Sequence, residues 1–212
     1  MIKKIGCIAS LLTICLLSYG QKFDLRGHIG FSVMELSNEG ASDVINGITY
    51  DTKLSGRPGL QTGVAVTIGE RFYVQPGIQW TNWSQKITHI SQLDNQEFVD
   101  NVKFSTLSVP IKVGTRLLSK ESTNLVNVRI FAGLDGHHIQ TLNHRKQSGL
   151  INELTTDDYS QLIVNADLGM GVDFLFMFAD LGYQIGLSST DHGIDKAKAN
   201  IFYTNFGLRL KF

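Results

Sequence analysis

Beyond the first twenty residues, the chain is dominated by apolar and polar positions that alternate with a period of two. At the C-terminus Phe202, Phe206, Leu208, Leu210 and Phe212 fall on one face of an extended segment, and Tyr203, Asn205, Gly207, Arg209 and Lys211 on the other. This is the pattern of a strand with one apolar and one polar face. Leu162, Val164, Ala166, Leu168, Met170 and Val172 oppose Gln161, Asn165, Asp167, Gly169, Gly171 and Asp173, interrupted by Ile163. Leu181, Tyr183, Ile185 and Leu187 continue the series, and five earlier segments repeat it, with apolar faces beginning at Phe23, Leu60, Phe72, Leu107 and Val126. The pattern predicts eight strands. The longest later unbroken apolar run, Phe174 to Ala179, is six residues, far below the ~20 that a spanning helix requires.

The connections alternate in length. Gly69-Glu70 suits a two-residue type II′ hairpin, Ser119 to Asn124 is a short polar link, and the turn near Leu175 to Met177 must be tight. Between these lie longer polar segments, roughly 38 to 56, 91 to 101, 145 to 159 and 190 to 198. An up-and-down antiparallel barrel with both termini at its short-turn end has this order, and transmembrane barrels pair short periplasmic turns with longer external loops. The apolar turn at Leu175 fits a contact with the membrane interface.

Alternation does not itself reveal which face points inward, since a soluble eight-stranded barrel buries its apolar face. Glycine separates the two arrangements. Gly30, Gly63, Gly77, Gly114, Gly133, Gly169, Gly171, Gly182, Gly186 and Gly207 all lie on the polar face. Residues of poor β-propensity bring nothing to a water-facing wall, whereas the crowded interior of a small barrel needs small residues between large polar ones. The polar face is therefore expected inside and the apolar face against hydrocarbon, where closure satisfies the backbone. The resulting fold class is all-β, an eight-stranded antiparallel up-and-down transmembrane β-barrel.

The chain start places this barrel in an export route. Lys3 and Lys4, an apolar run from Ile5 to Leu17, and Ser18-Tyr19-Gly20 form a signal-peptide pattern with cleavage before Gln21. The domain organisation is thus a signal peptide over 1–20 and an outer membrane β-barrel domain over 21–212. Removing the signal takes Cys7 and Cys15 with it, leaving 192 residues with 17 basic and 19 acidic side chains, net −2. No thiol remains for a disulfide, a zinc-thiolate site or a cysteine nucleophile. The near-neutral charge gives no attraction to nucleic acid.

Several segments carry a family resemblance that spans essentially the whole mature chain. The carriers are Gly20-Gln21; Arg57-Pro58-Gly59-Leu60-Gln61-Thr62-Gly63 leading by a tight turn into Phe72-Tyr73-Val74-Gln75-Pro76-Gly77-Ile78; and Leu107-Ser108-Val109-Pro110-Ile111-Lys112-Val113-Gly114. Asp167-Leu168-Gly169-Met170-Gly171 and the terminal Phe206-Gly207-Leu208-Arg209-Leu210-Lys211-Phe212 complete them. Together these segments resemble the PorT-like outer membrane β-barrel family of Bacteroidetes-type bacteria, and the resemblance implies location and fold, with no shared catalytic residues. It also implies that Phe212 serves as a signal for barrel-assembly machinery, and that outer membrane lipids surround the wall.

Candidate chemistry is sparse. His137, His138 and His144, with Ser148, Glu153, Asp157 and Asp158 nearby in sequence, are the residues from which a Ser-His-acid arrangement would have to be drawn. Their spacing is not distinctive, and adjacent His137 and His138 on a strand point to opposite faces, which opposes a shared metal. No catalytic, cofactor-binding or metal residue is assigned, and no cofactor is implied. Asp24, Arg26, Lys112, Arg116, Arg129, Asp135, Asp167, Asp173, Asp180, Arg209 and Lys211 are expected on the lumen face, five acidic and six basic. Eight strands leave an interior just wide enough for side chains, so a cross-linked polar plug is expected in place of a pore. Arg129 with Asp173, and Asp24 with Arg209 or Lys211, are the expected pairs at the periplasmic end. The function expected is that of a non-enzymatic structural, assembly, secretion or adhesion component; a lipid-modifying enzyme and a narrow solute channel are the alternatives.

Overall fold

The computed structural model describes residues 22–37, 42–45, 48–94, 96–118, 125–145, 162–188 and 198–212. The expected signal peptide, the Ser119 to Asn124 link and most of the two longest C-terminal loops lie outside them. The described strands are β1 (Phe23–Ser37), β2 (Ser42–Ile45), β3 (Ile48–Ile68), β4 (Phe72–Ser91), β5 (Glu97–Arg116), β6 (Val126–Arg145), β7 (Leu162–Phe174), β8 (Met177–Gly186) and β9 (Lys198–Lys211). They form one antiparallel sheet in the order β1-β9-β8-β7-β6-β5-β4-β3-β2. Pairing of β1 with β3, from Phe23↔Ile68 to Val33↔Pro58, closes the ring.

Eight of these strands are the expected wall. The ninth, β2, pairs only with the start of β3 among the described residues, Ser42↔Asp51 to Ile45↔Ile48. It falls in the segment from 38 to 56 expected to be loop, and β3 itself begins inside that segment. Likewise β4 and β5 consume most of 91 to 101, leaving a turn from Gln92 to Gln96. The strands outrun the expectation because their external ends carry polar residues outward, which in sequence read as loop.

The inward and outward assignment holds throughout the lower barrel. Phe72, Val74, Ile78 and Trp80 are exposed, as are Val109, Ile111 and Val113 on β5 and Leu168 and Met170 on β7. The intervening residues are buried or half-buried, and all ten of the glycines named above point inward. Gly133 shows why: a Cβ there would strike the carbonyl of Ile111 on the neighbouring strand, and one at Gly182 would enter the Tyr203 ring. On β4 the outward apolar band spans nine residues, Phe72 to Trp80; at ~3.3 Å rise and ~40° tilt this is about 20–25 Å of height, the thickness of the lipid-facing band of such barrels.

Above Trp80 the pattern reverses. Outward positions become Asn82, Ser84, Lys86 and Thr88, while Trp83 and Ile87 turn inward and are buried. The same exchange occurs on β5, where Lys103 and Ser105 face out and Val102 and Phe104 face in. Met34, Trp83, Ile87, Val102, Phe104, Ile139, Ile163, Ala199 and Ile201 form one buried apolar cluster in this upper half. The external half is built like a water-soluble barrel and the lower half like a membrane one. The expected polar, side-chain-filled lumen thus holds an apolar cluster in its upper half, beside buried Gln85, His89 and Asp100.

The periplasmic turns carry two further differences. The link between β3 and β4 is three residues, Gly69 to Arg71, and not the expected two-residue turn; Gly69 adopts φ of 114°, a conformation suited to glycine. Between β7 and β8, Leu175 takes φ of 54°, rare for a residue with a bulky side chain. Its N–H donates to the Leu125 carbonyl at 2.9 Å, and its carbonyl accepts from Arg209 Nε at 3.1 Å.

Candidate functional site: the packed lumen

Three sets of side chains fill most of the lumen, with buried Gln85, His89, Ser91 and Asp100 on the strand segments external to Trp83. At the periplasmic end, short turns hold the strand ends in one plane and bring four arginines and three aspartates together. Asp173 lies at the centre. It accepts two hydrogen bonds from Arg26, NH1 to Oδ1 at 3.0 Å and NH2 to Oδ2 at 3.1 Å. Arg209 NH1 donates to Oδ2 at 2.6 Å, and Arg129 Nε lies 2.9 Å from Oδ1. Arg129 also donates through NH2 to Asp180 Oδ1 at 2.6 Å. Arg116 NH2 donates to Asp24 Oδ2 at 2.8 Å, with Arg26 and Arg209 at 3.5 and 3.9 Å from the same oxygen.

Both expected pairs are present: Arg129 meets Asp173, and Asp24 approaches Arg209. Lys211 does not join them; it is Asp24's strand partner and is exposed at the rim. The Arg26 and Arg116 contacts were not foreseen. The centre of the cluster is fully buried: Arg26, Arg129 and Asp173 are each 0% exposed, and Arg116 at its edge is half-buried. Phe178 lies beneath two of its guanidinium groups, 4.9 Å from Arg26 and 5.7 Å from Arg129, adding cation–π attraction. Burying seven charges is costly unless each is paired; the shared aspartates pair all four arginines, while the Nε atoms of Arg26, Arg116 and Arg129 have no hydrogen-bond acceptor.

The middle layer is polar. Lys112 Nζ donates to Tyr203 OH at 2.7 Å and lies 2.9 Å from Asp167 Oδ2, while Tyr203 OH donates to Asp167 Oδ1 at 2.9 Å. Gln61 bonds Asn205, Gln79 Nε2 donates to Thr81 Oγ1 at 3.1 Å, and His28 bonds Gln79 at 3.1 Å. Asp135, Gln184 and His137 form a chain: Gln184 Nε2 donates to Asp135 Oδ2 at 2.9 Å, and its Oε1 lies 3.0 Å from His137 Nε2. An amide oxygen only accepts, so His137 Nε2 carries the proton. Trp83 of the apolar layer covers this histidine, with ring centroids 5.2 Å apart, and donates to Ser32 Oγ at 2.9 Å.

Of the candidate triad residues, the structure describes the side chains of His137 and His138. His137 is inward and 1% exposed, sealed between polar and apolar layers; His138 faces outward, as adjacency requires. The side chain of His144, and Ser148, Glu153, Asp157 and Asp158, lie outside the described residues. Among the described residues no group of three or more His, Cys, Asp and Glu could hold a metal ion. Sequence reasoning missed the apolar layer; its signal is the parity change between outward Trp80 and inward Trp83.

Comparison with known proteins agrees with this architecture. A family model described as the outer membrane protein beta-barrel domain matches residues 19–192. The chain belongs to this family. It is an outer membrane β-barrel, with its apolar lower wall in the lipid. Among solved structures, the outer membrane protein OprG from Pseudomonas aeruginosa is similar with a TM-score of 0.58 and 13% identity, over 91% of this chain and 96% of that one. At this identity the likeness is one of fold. Weaker similarity extends to Ail of Yersinia pestis (TM-score 0.42, 11% identity, 90% and 99% covered) and the translocator domain of NalP from Neisseria meningitidis (0.39, 9%, 98% and 94%). No curated protein matches the sequence.

Proposed function

We propose that this barrel is a closed, non-enzymatic component of the outer membrane that acts through its external loops or periplasmic rim, in assembly, secretion or adhesion. The observation that carries the reading is the double seal of the lumen: a buried Arg/Asp cluster below and a buried apolar cluster above. A conducting path has to displace both. An enzyme of this architecture needs its reactive groups open to lipid or water, whereas His137, which lies 3.6 Å from Asp135 in the lumen, is buried.

The PorT-like grouping, the signal peptide over 1–20 with processing before Gln21, and recognition of Phe212 by barrel-assembly machinery belong to the same proposal. Phe212 supports the last: it ends the barrel seam, stacked on Phe23 at 4.9 Å, with its N–H donating to the Phe23 carbonyl at 2.9 Å. The test is twofold. Purified refolded protein is expected to leave labelled lipopolysaccharide and phospholipid intact, and photo-crosslinkers placed in the external loops or periplasmic turns are expected to capture a discrete envelope partner. Lipid hydrolysis, or capture of lipid alone from every position, would overturn the reading.

A further inference from the structure

The outer wall carries a charge pattern that neither the fold nor the closed lumen requires. Immediately above the apolar band, β3, β4 and β5 present Arg57, Lys86 and Lys103 outward, with Lys53 one step higher. The register makes them one patch. Arg57 pairs with Ser84 and Ser84 with Lys103, while Ser55 pairs with Lys86 in the adjacent outward row. No ion pair engages these cations among the described residues, although Asp51, Glu97 and Glu35 share the external surface.

Their depth is set by the band below. Arg57 lies three residues past Leu60, and Lys103 four past Leu107; at roughly 2.5 Å of height per tilted residue this is about 8–10 Å above the last lipid-facing row. That is the level of lipid headgroups, within reach of long cationic side chains.

A second feature adjoins the patch. The β3–β4 ladder is irregular between Arg57 and Gln61, and beside this break the wall has a groove of about 530 Å³ lined by Leu60, Trp80, Asn82, Lys103, Ser105 and Thr141 among others. Trp80 forms its lower edge, its Nε1 donating to Ser105 Oγ at 2.7 Å and lying 3.3 Å from Asn82 Oδ1. The groove is therefore apolar toward the membrane, hydroxyl- and amide-lined in the middle and cationic above.

We infer that this groove and the Arg57/Lys86/Lys103 patch bind a phosphorylated, acylated sugar lipid of the outer leaflet: phosphate on the cations, sugar hydroxyls on Asn82, Ser105 and Thr141, acyl chains along Leu60 and Trp80. A soluble polyanion would use the cations but gain nothing from the apolar edge, which faces hydrocarbon.

The test uses the protein purified from outer membranes, with retained lipid read by native mass spectrometry and affinity by tryptophan fluorescence. The probes are lipopolysaccharide, the same lipid enzymatically dephosphorylated, and a soluble sulfated glucan. The phosphorylated lipid is expected to bind at least tenfold more tightly than its dephosphorylated form. The triple variant Arg57→Gln, Lys86→Gln, Lys103→Gln, its barrel checked by heat-dependent gel migration, is expected to lose that preference, while Arg71→Gln at the opposite rim keeps it. Equal binding of the two lipid forms by the unaltered protein overturns the inference whether or not the variant folds. So does an unchanged triple variant, or a sulfated glucan that binds as tightly as the lipid.

Discussion

Arg26 and Asp173 stand 147 positions apart in the chain and form a two-pronged ion pair inside the lumen, on strands that are not neighbours. The pair joins opposite parts of the wall at the periplasmic end. Because Asp173 also receives Arg129 and Arg209, its loss takes a partner from three cations, whereas loss of Asp180 takes one from Arg129. Asp173→Ala is therefore expected to cost at least 3–5 kcal/mol, the range for breaking a buried pair, and Asp180→Ala less. Denaturant unfolding in detergent, followed by gel mobility, gives the order; equal costs would show that the cluster is hydrated.

Glycines on the two faces are expected to behave differently. Gly133→Ala places a Cβ against the Ile111 carbonyl, which cannot move without disturbing the ladder, while Gly136, facing outward, has only Leu162 at 3.9 Å. Overpacking of this kind costs about 1–3 kcal/mol, so Gly133→Ala is expected to destabilise by that amount and Gly136→Ala to be near neutral. The same unfolding measurement checks both.

The reversal of the wall above Trp80 can be read by chemical labelling. The chain from Gln21 onward has no cysteine, so single cysteines can be introduced along β4. In proteoliposomes, positions 74, 78 and 80 are expected to resist a water-soluble thiol reagent, and 84, 86 and 88 to react. Uniform protection along the strand would mean that the upper half is also in lipid.

Leu175 offers a test of strain. Its left-handed backbone is disfavoured for a branched side chain by roughly 1–2 kcal/mol, and that backbone is held by its N–H donating to the Leu125 carbonyl and its carbonyl accepting from the Arg209 side chain. Leu175→Gly is expected to raise unfolding stability by about 1 kcal/mol in detergent. A loss of similar size would show instead that the side chain's interfacial contact outweighs its strain.

Much of this was readable from sequence because a barrel wall obeys a strict rule of two. The Arg129–Asp173 and Asp24–Arg209 contacts followed from short turns, which fix depth, and from adjacency of β6 with β7 and of β1 with β9. Arg26 with Asp173 did not follow, since contacts across the lumen depend on how far a side chain reaches between strands that share no ladder. The upper half was hidden for another reason. A strand with serine, lysine and threonine outward resembles a loop until one sees that Trp83, Ile87 and Val102 occupy the inward positions.

The central claim, a lumen sealed by charge below and apolar packing above, is tested most directly by single-channel recording of the purified protein in planar bilayers at neutral pH. The sealed barrel is expected to give no discrete current steps over the bare bilayer. Reproducible unitary conductances that survive repurification, and that shift when Asp173 or Trp83 is replaced, would contradict it.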